Sequence, residues 1–453
     1  MSRSLLLYAL IALGCVLGLL LVFGIVLAFA WPWWVGIFLV ILLLGVGIAA
    51  VIVRKVVLRR KEQLFVAQII EQDNAYVKSM KDDEKKNLAD IQDKWKEAVG
   101  ALKKSHLKKF GNPLYVLPWY MVIGESGAGK TTSIKSARLS SPFAEYTKIS
   151  GFSGTKNCDW WFFEQAIIID TAGRYAIPVD EGRDKDEWQK FVALLAKYRK
   201  REPLNGLVVA VATDKLLQSR PELIEEDGRN IRRRIDELMR GLGSRFPIYV
   251  LVTKCDLIQG MTQFCSELSE ANQQQAFGMI NHTMKADPEA FLKSGMHTLS
   301  ERLRNIRLLQ LHKSDPRYLD PALLLFPEEF SKLEEGLTAF MKAAFKENPY
   351  QESPLLRGLY FSSGKQEGSP YSHFLKNLGL IEERDVLPGT NKGLFLHDFF
   401  AKILPRERHL FAPTQRAIEW TRLTRNLGLL SWLLISIALC GLLSFSFVKN
   451  ISI

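Results

Sequence analysis

The sequence predicts a membrane-anchored α/β protein: a helical transmembrane hairpin, a P-loop NTPase (G-domain-like) body with a parallel sheet and a helical insertion, and a third transmembrane helix. Three observations predict it. Two long runs near the ends of the 453-residue chain carry no charge, short apolar strand-like runs alternate with polar helix-forming sequence between them, and one such run leads directly into Gly124-Glu125-Ser126-Gly127-Ala128-Gly129-Lys130-Thr131.

The averages conceal the first of these. Lys+Arg 60 against Asp+Glu 48 gives a net charge of +12, hydrophobic residues make up 47%, and mean hydropathy is near zero. Yet no Asp, Glu, Lys, Arg or His occurs in the 50 residues from Ser4 to Val53, nor in the 22 from Leu427 to Val448. The basic residues outside 54–426 are Arg3 and Lys449, which leaves the middle at +10 with every acidic residue. A wholly soluble chain is excluded, and so is a polytopic carrier, whose charge-free spans would recur. The five cysteines, Cys15, Cys158, Cys255, Cys265 and Cys440, form no CxxC pair, which argues against a zinc site or disulfide scaffold and fits a reducing compartment. A pI near 9.3 raises nucleic-acid binding, but basic residues flanking a bilayer account for it, so no nucleic-acid partner is expected.

At 1.5 Å per residue a 50-residue helix would reach about 75 Å, against a hydrocarbon core of about 30 Å. The run is therefore two helices, Leu5 to Ala30 and Trp33 to Val53, broken at Trp31-Pro32-Trp33-Trp34 where proline stops a helix and indoles favour the interface. A signal peptide would be followed by polar sequence, whereas apolar sequence continues here. Arg54, Lys55, Arg59, Arg60 and Lys61 follow the second span of the hairpin unit (1–58), and Arg416, Arg422 and Arg425 precede the third span (427–448). Positive flanks stay inside. The amino terminus and the middle then face the cytoplasm, with 449–453 as a periplasmic tail. Gly14 and Gly18 form a GxxxG, a pattern that packs helices and is also common in any Gly-rich span.

Residues 59–110 read as a stalk helix, with Leu88, Ile91, Trp95, Ala98 and Leu102 at three- and four-residue spacing facing the domain that follows. A sustained heptad is missing, which disfavours a coiled coil. The core is expected over 111–261, with strands at Trp119 to Ile123, Ala166 to Ile169, Leu207 to Ala212 and Ile248 to Val252, and helices at Asp186 to Lys200 and Arg229 to Leu242. Strand signals vanish over 262–350, a helical insertion, and return at Gly358 to Phe361 within 351–370. A helical extension occupies 371–426. This alternation predicts a parallel sheet wrapped by helices.

Gly124 to Thr131 matches GxxxxGK[ST]. Gly124, Gly127 and Gly129 let backbone N–H groups turn inward around phosphate oxygens, Lys130 reaches the β and γ phosphates, and Thr131, followed by a second hydroxyl on Thr132, supplies an oxygen for Mg²⁺. The following helix offers its positive end. Strand Ala166 to Ile169 ends in Asp170-Thr171-Ala172-Gly173, where Asp170 can hold Mg²⁺ and Gly173 can present its N–H to the γ phosphate. Thr253-Lys254-Cys255-Asp256 ends another strand and resembles the [NT]KxD element of the GTPase superclass, whose Asp accepts from two adjacent guanine N–H groups; the bland alternative is a solvated strand-end carboxylate. Ser362-Ser363-Gly364 stands where such proteins keep a base-contacting loop. A threonine that senses the γ phosphate is expected between the first two motifs, Thr155 ahead of Thr147. Arg174 occupies the place of a water-orienting Gln and either stabilises transferring charge or lies on the surface, so intrinsic hydrolysis is expected to be slow. The expected cofactors are ATP or GTP with Mg²⁺. Arg229, Arg232, Arg233 and Arg234 read as a solvated helix face before an acidic-partner site, and Trp160-Trp161-Phe162-Phe163 as a buried strand beside Ala166 to Ile169.

With these residues assembled, the chain resembles the amino-terminal portion of the IcmF/TssM family, the inner-membrane subunit of type VI secretion systems. The resemblance lies in the Trp-rich hairpin, Leu117-Pro118-Trp119-Tyr120 before the P-loop, Cys158-Asp159-Trp160-Trp161 before Ile169-Asp170-Thr171-Ala172-Gly173-Arg174, then Thr253-Lys254-Cys255-Asp256, and Phe361-Ser362-Ser363-Gly364-Lys365-Gln366-Glu367-Gly368. It implies a structural role in a trans-envelope complex of the bacterial inner membrane. The implied partners are a TssL-like inner-membrane subunit, baseplate components, further copies of the chain and the lipid bilayer. Such proteins continue after the third span into a periplasmic region that meets a TssJ-like lipoprotein; five residues follow that span here, so lipoprotein contact is expected only where that region is supplied. The alternative reading is a membrane-anchored regulatory GTPase resembling a protein-targeting receptor subunit.

Overall fold

The computed structural model describes residues 92–93, 95–102, 105–141, 158–178, 181–199, 201–284, 287–313, 320, 322–347, 352–364 and 393–414. The chain comprises two compact units, Met1–Lys85 and Lys86–Ile453, and every described residue belongs to the second. The expected transmembrane hairpin, third span and tail, and Thr155 and Thr147, lie outside the described residues. Among the described residues no helix is long and apolar enough to cross a membrane.

Apolar β-branched runs build the sheet. Its strands are β1 (Trp119–Ile123), β2 (Cys158–Phe162), β3 (Ile167–Thr171), β4 (Gly206–Ala212), β6 (Pro247–Thr253), β7 (Phe277–Ile280) and β8 (Leu355–Phe361), in the spatial order β2-β3-β1-β4-β6-β8-β7; β5 (Ser244–Arg245) pairs separately with β9 (Ala412–Pro413). The central strands β3, β1, β4, β6 and β8 are parallel, and all of β1, β3 and β6 are buried, as continuous apolar runs in a two-sided sheet should be. Both edges correct the expectation of a purely parallel sheet. β2 runs antiparallel to β3 because only the turn closed by Phe163 N–H donating to Ala166 O (3.0 Å) separates them, far too short for a crossover. β7, inside the segment expected to be helical, runs antiparallel to β8. Four residues including Gly278 carry little strand signal; pairing creates this strand, and a Cβ on Gly278 would meet Leu359 O.

Helices cover the faces: α1 (Lys130–Ser136), α2 (Glu181–Tyr198), α3 (Pro221–Leu242), α4 (Pro288–Lys313), α5 (Ala322–Ser331) and α6 (Leu333–Phe345). Side chains alternate across each strand. Tyr120, Val122, Ile168, Val208, Ala210, Tyr249, Leu251 and Tyr360 pack with Ile134 of α1 and with Leu396, Phe399, Phe400 and Leu404. On the stalk side residues 95–102 are helical, and Trp95 meets Trp119 (6.1 Å), Trp160 (4.7 Å) and Tyr198 (5.3 Å) between ring centroids. The stalk helix does not run unbroken to 110, since His106–Lys109 forms a 3-10 turn. Of the helical extension, 393–414 holds a π turn (Phe399–Ile403), short helical turns and β9. In the arginine cluster, ion pairs within α3 engage Arg229 with Glu225, Arg232 with Asp236, and Arg234 with Glu237.

Gly228 in α3 lets α6 approach; a Cβ there would come within 2.7 Å of Phe340 O and Ala343 Cβ, whereas a Cβ on Gly100 would meet nothing within 4 Å. In urea unfolding of the full chain, Gly228→Val is expected to cost about 1–3 kcal/mol, and Gly100→Ala to be neutral or stabilising by up to about 1 kcal/mol.

Candidate functional site

Parallel strands deliver their carboxyl ends to one edge of the sheet, and ligands of open α/β sheets bind outside that edge. Register makes the deliveries level: Val122 pairs with Asp170, Ala212 with Thr253 and Val252 with Phe361. The loops that leave these positions enclose a cleft of about 430 Å³ lined by Ser126, Gly127, Gly129, Lys130, Thr131, Thr132, Ser133, Thr171, Gly173, Thr253, Lys254, Asp256 and Gly364, within the size range of small-molecule sites.

Backbone conformation explains the glycines. Gly127 (φ 79°) and Gly129 (φ 72°) adopt left-handed geometry, Gly129 capping α1, a region that L side chains avoid. Gly124 has no room for a Cβ, which would run into Ala210 O of the neighbouring strand. Gly173 has none either, because a Cβ would overlap the backbone of Ser126 and Glu125. The turn after β3 is thereby pressed onto the loop after β1.

At this junction the Thr131 hydroxyl donates to Asp170 Oδ2, and Asp170 is fully buried. Thr171 fixes the same level by donating from Oγ1 to Val122 O at 2.9 Å. Lys130 Nζ donates to Gly124 O (2.8 Å) and Glu125 O (2.9 Å). Burial pushes this ammonium below its ordinary value, against the pull of Asp170 and Glu125. Glu125 in turn pairs with Lys215, which also holds Asp227 at 2.5 Å.

The other wall is built from the end of β6. Thr253 Oγ1 donates to Ala128 O (2.8 Å), so this hydroxyl ties the strand end to the glycine-rich loop. Lys254, at φ 56°, extends to Asp214 (3.0 Å). Asp256 is buried and accepts from Ser363 Oγ at 2.5 Å. Burial raises its carboxyl above the ordinary range, while the Ser363 hydrogen bond and Lys254 lower it.

Of the residues named from sequence, Gly127, Gly129, Lys130, Thr131, Thr132, Gly173, Thr253, Lys254 and Asp256 line the cleft. Gly124 and Asp170 are not in the lining: Gly124 supports the loop from behind, and the fully buried Asp170 meets the cleft through the Thr131 hydroxyl. Ser362 and Ser363 are fully buried behind it: Ser362 Oγ bonds Val252 O and Ser363 orients Asp256, so only Gly364 of that loop reaches the cleft. Arg174 is placed elsewhere. It pairs with Asp184 (3.2 Å) and Glu187 (2.6 Å) on α2 and lies over Tyr175, which corrects its expected role beside a reacting phosphate. Sequence reasoning missed Ser126, Ser133 and Thr171 as lining groups, although all three stand inside or beside the motifs it named.

The donor set fits a phosphate ester with a hard cation. Loop N–H groups and an ammonium suit phosphate oxygens, and a hydroxyl beside one carboxylate suits Mg²⁺, which takes few protein ligands and shares the rest with phosphate and water.

Fold and cleft together define an α/β domain with a glycine-rich loop between its first parallel strand and a helix, and acidic side chains at the following strand ends. The chain belongs to the IcmF-related family: the IcmF-related N-terminal domain matches residues 181–432, and the Type VI secretion system component TssM1 of Pseudomonas aeruginosa is 37% identical over 360 residues, 76% of this chain and 32% of that protein. The chain thus spans about a third of the length of this relative. The domain match includes residues 253–256 and 362–364 and begins after the glycine-rich loop. Among solved structures, a chain of the signal recognition particle receptor SRb-GTP/SRX complex from Chaetomium thermophilum is 16% identical, with a TM-score of 0.22, covering 31% of this chain and 71% of that one. A mutation variant of SsGBP is 14% identical, with a TM-score of 0.20, covering 51% of this chain and 61% of that one.

A carboxyl whose folded pKa is raised holds a proton that the unfolded chain has released, so its contribution to stability is present at low pH and lost as pH rises through the folded value. Urea unfolding of the parent and of Asp256→Asn between pH 4 and 7 is expected to show the parent losing stability relative to the variant as pH rises. The opposite slope would mean that the Ser363 hydrogen bond outweighs burial.

Proposed function

We propose that this chain is an inner-membrane subunit of a type VI secretion apparatus whose cytoplasmic domain binds a nucleoside triphosphate with Mg²⁺ and changes conformation with its occupancy. Family membership supports the apparatus. One observation carries the nucleotide reading: the Thr131 hydroxyl meets Asp170 at the junction where Gly173 touches the glycine-rich loop, beside Lys130.

In this reading the loop 124–129 wraps the phosphates, Lys130 neutralises them, and Thr131 and Asp170 hold the cation, with Thr132 at the same wall. Bound there, Mg²⁺ would supply neutralisation of the phosphate charge. Gly173 presents backbone N–H toward the terminal phosphate, so its position depends on whether that phosphate is present. Asp256 accepts hydrogen bonds from the base. A guanine edge offers two adjacent N–H donors and adenine does not, so this residue separates GTP from ATP. Asp184 and Glu187 hold the Arg174 guanidinium on α2, away from transferring charge, which supports slow hydrolysis and a switch rather than a turnover enzyme. The partners in this reading are a TssL-like subunit, baseplate components and further copies of the chain, with a TssJ-like lipoprotein requiring a periplasmic region.

Titration of the full chain with fluorescent ATP and GTP analogues in Mg²⁺ is expected to give saturable binding, weakened at least about tenfold by Lys130→Ala, as loss of a charged hydrogen-bonding group implies. Asp256→Asn is expected to shift preference toward xanthine nucleotide. Equal binding by parent and Lys130→Ala would overturn the reading; indifference of Asp256→Asn to the base would remove the base assignment alone.

A further inference from the structure

We propose that the segment 393–414 is a strap that transmits occupancy of the cleft to the opposite end of the sheet. The inference rests on the nucleotide reading above and concerns its regulation. At its first end the strap touches two elements that stand behind the cleft, the Ser363 loop and the far end of α1. Leu394 exchanges two backbone hydrogen bonds with Ser363 (2.8 and 3.2 Å), the residue that orients Asp256. Gly393 lies so close to α1 that a Cβ would overlap Ser136 O. Any adjustment of the Asp256 wall or of the helix that begins at Lys130 therefore meets residues 393 and 394 first.

From there the strap crosses one face of the sheet against the direction of the parallel strands. Leu396, Phe399, Phe400 and Leu404 are buried in that face's core, and such close-packed contacts pass displacement on instead of absorbing it. Its middle winds as a π turn, Phe399–Ile403, a geometry that recurs at functional sites.

The second end is clamped. Glu407 accepts from Arg357 Nε (2.9 and 3.0 Å) and Nη2 (2.5 Å) and from the Tyr249 hydroxyl (2.5 Å). The Tyr120 hydroxyl donates to Leu404 O. Arg408 donates to Val116 O (2.8 Å) and Tyr115 O (2.5 Å), and Thr414 N–H donates to Gly243 O (3.0 Å). Arg357 and Ser363 are six residues apart along β8 and its exit, roughly 20 Å at strand rise. The strap thus joins the cleft to the end of the domain where the chain enters β1, through contacts too specific to slide.

Coupling of this kind is reciprocal: if occupancy moves the clamped end, a change at the clamped end must change affinity. Two measurements on the full chain test it together. Amide hydrogen exchange with and without Mg²⁺ and nucleotide is expected to change at least about fivefold in residues 404–414, and the isosteric Glu407→Gln is expected to shift nucleotide Kd at least about fivefold, the lower bound of ordinary coupling. Arg304→Ala, which loses exposed pairs with Glu301 and Glu328 on the helical layer, is expected to leave Kd within about twofold, as a surface change away from the strap should. A strap that only stabilises the fold gives exchange changes confined to the cleft loops and an unchanged Kd in Glu407→Gln, and this overturns the proposal while leaving nucleotide binding intact. A change in one readout without the other also overturns it. If the parent binds no nucleotide, the functional reading and the strap fall together.

Discussion

The contact between Gly173 and the backbone of Ser126 and Glu125 is the constraint on which the cleft depends. It exists because β1 and β3 are parallel neighbours that end level, and because Gly173 brings no side chain to the point of approach. Once the two loops touch, Thr131 and Asp170 are within hydrogen-bond reach and Lys130 is enclosed. Burying an ammonium and a carboxylate is costly unless each is paired or hydrogen-bonded. Here the loop carbonyls of Gly124 and Glu125 take the ammonium, which keeps a positive charge at the mouth of the glycine-rich loop.

Much of this arrangement is legible in the chain. Five central strands follow from continuous apolar runs, and the glycine-rich loop, Asp170 and Asp256 from their places at strand ends, because a buried parallel strand and a tight loop each restrict composition severely. The edges are less legible. β7 is only four residues long and interrupted by Gly278, too short a run to read as a strand without its pairing to β8, and the direction of β2 follows from the length of one turn, which composition does not reveal. Side-chain direction is not legible at all for Arg174: the sequence places it beside the cleft, but Asp184 and Glu187 in α2 decide where its guanidinium goes. Ser362 and Ser363 turn inward for a similar reason, their hydroxyls being needed by Val252 O and Asp256.

The opposite end of the sheet shows what anchors the site from below. Arg199 is fully buried between Trp119 (4.6 Å) and Tyr115 (5.4 Å) and donates to Asn205 Oδ1 at 3.2 Å. Burial lowers its guanidinium to about 9. Asn205 also accepts from Trp119 N–H at 2.9 Å, so the start of β1 is pinned to the residue preceding β4. With Trp95 and Trp160 packed on the same indole, β1 is fixed at its foot by aromatic packing and at its head by glycines. That division of labour leaves the head free to carry chemistry.

In the proposed reading, Thr131 and Asp170 are the cation-holding half of a nucleotide cleft. The most direct measurement is nucleotide affinity as a function of Mg²⁺ concentration for the full chain and for Asp170→Asn. Affinity is expected to rise with Mg²⁺ in the parent and to be nearly independent of it in the variant. An identical Mg²⁺ dependence in both would contradict the assignment and place the cation, if one binds, elsewhere.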